Sequence, residues 1–201
     1  MTALVRYLSH PEVDIAPDIP VPDWSLSPLG QARSRNFSRA PWLSRTTQIV
    51  SSGERKALET AAPIAEALGV EIEIREAMHE NDRSATGFLP PAEFQQTADA
   101  FFAQPEVSIR GWERAIDAQK RIVREVDIVL ERAIAGDVLF VGHGGVGTLL
   151  LCHLLGAGIS RRHDQPGGGG NVFVFTAADR CLIHQWRPME MPPAPGEPPS
   201  V

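Results

Sequence analysis

Two cysteines, Cys152 and Cys181, are the only thiols in this 201-residue chain. They make no disulfide framework, and neither lies in a metal-type cluster, so a reduced, cytoplasmic setting is the simplest reading. A basic excess is also missing. The formal net charge is −6 and the pI about 5.5. That argues against a general polyanion-binding surface, and so against nucleic acid as a partner. It leaves room for a local positive pocket that takes a small phosphorylated ligand. No signal-peptide core is expected near the start, because Arg6 falls within the first apolar run and Pro11 follows soon after. The longest uncharged stretch, Val138 to Ile159, is long enough to suggest a membrane span. Gly142 to Gly147 break it and His143 and His153 interrupt it, so a strand, a loop and a helix explain it better. No membrane partner is expected. Neither H-E-x-x-H nor another paired-ligand spacing occurs, which leaves no metal site. Internal repeats are absent.

What is present begins with Ala3 to Glu12, A-L-V-R-Y-L-S-H-P-E. Leu4, Val5, Tyr7 and Leu8 suit a buried strand. Pro11 cannot donate a ladder hydrogen bond and steers His10 away from helical backbone, so the strand ends there. An imidazole is thereby placed at the carboxyl end of a buried strand, where open α/β sheets bind their ligands. Asp137 to Leu151 repeats the design, with an apolar run, then Gly142-His143-Gly144-Gly145, then a helical pattern. Two strand-end histidines in one domain point to a shared crevice.

Between these stretches the elements alternate. A proline-punctuated loop covers Pro11 to Trp24, and Ser27-Pro28 opens a helix as N-cap and first helical residue. Strands are expected at Thr46–Ser51 and Val70–Ile74, the latter at the sheet edge, around a helix from Glu54 to Leu68 that Gly69 stops. Ala77 to Pro91 reads as an inserted loop over the site, followed by a helix at Ala92–Phe102. Trp112–Ala135 reads as one long amphipathic helix. Val138–Val141 is the next strand, Thr148–Leu155 a helix, and Asn171–Thr176 with Cys181–Trp186 a terminal hairpin. Gln165–Gly170 is a flexible or closely approached glycine loop. The pattern implies an α/β fold with a mainly parallel central sheet covered on both faces. Residues 1–188 form one domain, with 77–110 inserted over the site, and the proline-rich stretch 189–201 is expected to be a loose tail.

In this order the motifs resemble the histidine phosphatase superfamily, the phosphoglycerate mutase-like enzymes and acid phosphatases. The resemblance rests on S-H-P-E at Ser9–Glu12, L-S-P-L-G at Leu26–Gly30, S-S-x-E-R-K-A-x-x-T-A at Ser51–Ala61 and G-H-G-G at Gly142–Gly145. It implies the three-layer α/β/α sandwich of that family. It also implies a phosphate monoester hydrolase that works through a phosphohistidine on His10, without metal or cofactor, on a small phosphorylated substrate. The resemblance places His143 beside the phosphoryl oxygens, Gly144 where backbone approaches closely, and Glu80 as proton donor to the leaving group, with Asp82 behind it. Two departures stand out. Family members begin R-H-G and carry R-A-x-x-T-A, whereas this chain has Ser9 and Pro11 around His10 and Lys56 before Ala57. A guanidinium grips phosphate with a rigid fork, while lysine offers a mobile point charge and serine only a hydroxyl. Ser9 and Lys56 are thus the phosphate-binding candidates by position, and Arg83 is the preferred compensating cation ahead of Arg55 and Arg6. A catalytically impaired phosphate-binding or regulatory relative is the alternative, and a mutase-type phosphotransferase a third reading. Whether the chain forms a homodimer is left open.

Overall fold

In the computed structural model, residues 2–132 and 135–191 are described. Six strands form one sheet: β1 (Leu4–Ser9), β2 (Thr46–Ser51), β3 (Ile72–Ile74), β4 (Asp137–Gly142), β5 (Asn171–Thr176) and β6 (Leu182–Pro188). Their order is β3-β2-β4-β1-β5-β6. Pairs β3–β2, β2–β4 and β4–β1 are parallel, and β1–β5 and β5–β6 antiparallel. The mainly parallel sheet and the terminal hairpin are as expected, and β3 lies at the edge.

The side-chain period of two sorts the core into two layers. Val5, Tyr7, Val138, Phe140, Phe173 and Phe175 pack on one face against α3 (Pro91–Ala103), α4 (Ala115–Leu130) and α5 (Gly144–Leu154). Leu4, Leu8, Ile49, Leu139, Val141 and Val174 pack on the other against α1 (Pro28–Phe37) and α2 (Arg55–Leu68). A sheet covered on both faces has no need of a polar side, which is why β1 and β4 read as nearly unbroken apolar runs. The uncharged stretch from Val138 is β4, a one-residue turn and α5, and no helix among the described residues is long and apolar enough to cross a membrane.

The expected elements differ from the structure in three places. First, α5 begins at Gly144 rather than Thr148. Its glycines would disfavour helix in isolation, but the Glu80 carboxylate accepts hydrogen bonds from Gly145 and Val146 N, both at 3.0 Å, and caps the first turn. Second, α4 spans Ala115–Leu130 instead of starting at Trp112. Arg110 and Gly111 adopt positive φ (52° and 81°), so the chain turns there and Trp112 enters the core before the helix starts. Residues 133 and 134 of the expected helix lie outside the described residues. Third, the tail does not start at 189. Met189 is buried among the residues packed on α2, and Glu190 pairs with Arg33 at 2.6 Å, so the ordered chain continues past the expected boundary. Residues 192–201 lie outside the described residues.

The L-S-P-L-G motif has a packing reason. Ser27 caps α1 through Gly30 N, and a Cβ at Gly30 would fall 2.2 Å from the Glu12 carbonyl oxygen. Glycine is what lets α1 approach the loop that follows His10.

Candidate active site

Sheet register assembles the site. Ser9 lies opposite Gly142 in the parallel β1–β4 pair, so the next residues, His10 and His143, leave the sheet side by side. The ladder continues one step further, with His10 N donating to Gly142 O at 2.9 Å. On the other flank of β4, Ser51 lies opposite Val141, and Ser52 N donates to Val141 O at 3.0 Å. Three adjacent parallel strands therefore deliver His10, His143 and Ser52 to one edge of the sheet, at the carboxyl ends where α/β proteins bind ligands.

The two imidazoles meet edge to face with ring centroids 5.3 Å apart. His10 is half-buried, and its Nδ1 lies 2.8 Å from the Pro11 carbonyl oxygen. A carbonyl can only accept, so Nδ1 carries the proton and Nε2 is left as a free lone pair. Burial, and then the neighbouring His143, push His10 from 6.5 down to about 3. The nucleophilic nitrogen is thus unprotonated at any ordinary pH. Because the unfolded chain takes up this proton near 6.5 and the folded chain only near 3, His10 lowers stability as pH falls between those values. A histidine NMR titration from about pH 8 to about 5 should leave the His10 ring signals in place. A midpoint near 6.5 for His10 would contradict this environment.

His143 is fully buried. Its Nε2 lies 2.9 Å from Ser52 Oγ and 3.6 Å from Glu54 Oε1, while its Nδ1 is buried with no hydrogen-bond partner. Burial lowers its pKa, and Glu54 and Glu80 oppose that shift. The backbone beneath is held by Tyr7, whose hydroxyl donates to His143 O and accepts from His143 N. Tyr7 stacks on Phe173 with ring centroids 5.1 Å apart, so the site rests on the aromatic core.

The other sequence candidates are placed as follows. Glu80 reaches the site, and accepts from Gly145, Val146 and Asn81 N. Burial pushes its carboxyl up, but His143, Arg83 and these amides outweigh it and hold it below the usual range. It rests as an ionised helix cap. Arg121 fixes its loop by donating to the carbonyls of Ala77 at 2.7 Å and His79 at 2.9 Å. Asp82, the second proton-donor candidate, is exposed and bonds Ser84 N at 2.8 Å.

The expected phosphate ligands are more occupied than their positions suggest. Ser9 Oγ donates to Gln165 Oε1 at 2.5 Å and accepts from Asn171 N at 3.0 Å, so its hydroxyl serves the fold and not an open pocket. The space beside Gly144 is filled by the Gln165 amide, into which a Cβ would collide. Lys56 is 2% exposed; its Nζ pairs with the Glu54 carboxylate and donates to Val21 O at 2.8 Å. Arg83 lies over the rings of Phe94 and Trp112, at 5.1 and 5.7 Å, close enough to act on both Glu80 and His143. Arg55 turns to Glu59 at 2.8 Å and Arg6 to buried Asp137 at 3.0 Å, so neither replaces the missing arginines. The glycine loop is of the closely approached kind: Gly170 N donates to His10 O at 2.9 Å, and a Cβ at Gly169, whose φ is 100°, would fall 2.4 Å from that carbonyl oxygen.

Sequence reasoning missed Ser52, Glu54 and Gln165. Glu54 lies within the S-S-x-E-R-K-A match but shows there only as an acidic residue near a helix start, and nothing in the sequence ties Gln165 to Ser9. Beside the site lies a cavity of about 600 Å³ lined by Val21, Glu54, Asn81, Arg83 and neighbours.

A paired-histidine site at the carboxyl edge of a six-stranded α/β sheet defines a class before any comparison. The profile of the histidine phosphatase superfamily (branch 1) matches residues 18–186, and the chain belongs to that superfamily. The match begins after His10. Among solved structures, YhfR of Bacillus stearothermophilus is similar at 20% identity and a TM-score of 0.77, over 91% of this chain and 95% of that one. A mycobacterial glucosyl-3-phosphoglycerate phosphatase is similar at 19% and 0.73, over 93% and 97%. A phosphoserine phosphatase from Entamoeba histolytica, in complex with 3-phosphoglyceric acid, is similar at 18% and 0.68, over 92% and 97%. These likenesses establish the phosphoglycerate mutase-like fold. No curated protein sequence matches the chain.

Proposed function

We propose that the protein hydrolyses phosphate monoesters through a phosphohistidine on His10. The observation that carries this reading is the Nδ1–Pro11 carbonyl bond at 2.8 Å, which holds His10 in the tautomer that presents Nε2 as a nucleophile. Nε2 attacks phosphorus, the ester oxygen leaves, and water later attacks the phosphohistidine to give phosphate. As the dianion arrives, it favours the imidazolium form of His143. Nε2–H then keeps Ser52 and Glu54 as partners, and Nδ1–H, the edge that has no protein partner, donates to a phosphoryl oxygen. Lys56 and Arg83 supply the positive charge. The superfamily and the two similar structures named as phosphatases support the reaction class.

Glu80 rests ionised, so its work as an acid begins only when the bound phosphoryl dianion raises its pKa. Replacing it with glutamine should slow turnover of alkyl phosphates by ~10²-fold and that of p-nitrophenyl phosphate far less, because only the poor leaving group needs the proton. An equal loss on both substrates would remove Glu80 from that role. The reading as a whole is tested by phosphate release from a broad panel of monoesters without added metal. Turnover is expected. A folded protein with none would move the account to a phosphate-binding role, which the pairing of Lys56 with Glu54 favours.

A further inference from the structure

Glu54 has no assigned role within the S-S-x-E-R-K-A match, yet it faces the groups on which phosphoryl binding depends. One of its oxygens pairs with Lys56 Nζ. The other accepts Glu80 N at 2.8 Å and stands 3.6 Å from His143 Nε2. The side chain is 9% exposed and sits as N-cap residue at the start of α2, where an anion is favoured. The lysine contact that would receive a phosphoryl group is thus already made by a carboxylate of the chain itself. Burial raises the Glu54 carboxyl, but His143, Lys56 and the amide outweigh it and hold it at about 2, so it does not leave by protonation. The same side chain lines the adjoining cavity of about 600 Å³. Asn81 also lines that cavity; it is 7% exposed, and its amide nitrogen is buried with no partner.

We propose that Glu54 is an affinity-setting positioning residue that competes with the phosphoryl group for Lys56. This rests on the phosphatase reading and deepens it. A bare phosphate ion must separate a buried ion pair without the contacts of an alcohol part to offset the loss, so it binds weakly and product leaves readily. A monoester whose alcohol part fills the cavity, with a hydroxyl or carbonyl oxygen to accept from Asn81, gains the contacts that offset that separation. The substrate class is therefore a phosphate monoester of a sizeable polar alcohol, not the smallest alkyl phosphates.

The test is calorimetric titration of inorganic phosphate and of orthovanadate into the wild type, Glu54→Gln and Lys56→Arg. Glu54→Gln is expected to bind both ions at least ~10-fold more tightly than the wild type. Lys56→Arg is expected to stay within ~3-fold of the wild type, because the new guanidinium remains paired with Glu54. Unchanged or weaker binding by Glu54→Gln overturns the proposal. So does a ~10-fold gain from Lys56→Arg alone, and that arm decides the matter if Glu54→Gln does not fold. His10-dependent turnover together with unchanged ion affinity in Glu54→Gln removes this proposal and leaves the phosphatase standing. Absence of both turnover and ion binding in every protein removes the two together.

Discussion

Replacing His10 with alanine lowers phosphate release by at least ~10³-fold on any monoester the protein turns over. The size follows from the role. His10 Nε2 is an unprotonated lone pair, since the ring's other nitrogen is bonded to Pro11 O, and its ring is half-buried, whereas His143 is fully buried with Nε2 bonded to Ser52. Without the nucleophile, the reaction reverts to direct attack by water within a site built for a different geometry. The substitution leaves the fold in place, because the His10 backbone bonds to Gly142 and Gly170 stay and the lost ring is only half-buried. A melting temperature near that of the wild type separates lost chemistry from lost structure. Retained turnover in a folded His10→Ala protein would assign the nucleophile elsewhere.

Asp137→Ala should cost about 3–5 kcal/mol of stability without altering turnover per folded molecule. Asp137 is buried at the start of β4, far along the strand from His143. It accepts Leu4 N at 3.0 Å and Arg6 Nη1 at 3.0 Å, with Arg45 at 3.7 Å. These contacts bind the amino ends of β1 and β4, whose carboxyl ends carry the two histidines. Removing the carboxylate takes away the acceptor of the buried Leu4 amide and one partner of the buried Arg6 guanidinium, and breaking a buried pair from one side is the expensive case. For a chain of this size, a loss of that order lowers the melting temperature by about 10 °C. Denaturant unfolding that places the variant within ~1 kcal/mol of the wild type would mean that water or a neighbour takes over the pairing.

The sequence carried the scaffold and the two histidines because their signals are local. A buried strand that ends at a proline or a glycine fixes where an imidazole emerges, and the same pattern at His10 and His143 places both on one sheet edge. What lay hidden depends on contacts between distant segments. That α5 starts at Gly144 follows from a carboxylate 64 residues upstream, and no helix propensity foretells a start among glycines. Serine for arginine at position 9 and lysine for arginine at 56 were plain as departures. Their consequences were not, because Gln165 holds one and Glu54 the other. The inserted loop offers Arg83 as the compensating cation, and the structure sets it on aromatic faces where its charge acts on Glu80 and His143.

The central claim is covalent: His10 Nε2 takes the phosphoryl group. The most direct measurement is rapid quenching of the wild type in alkali during turnover, followed by mass spectrometry of the peptide that contains His10. The account predicts a phosphoryl adduct on His10 that survives alkali, is lost in acid, and is absent from His10→Ala. Steady turnover with no adduct on that peptide at any quench time would contradict it.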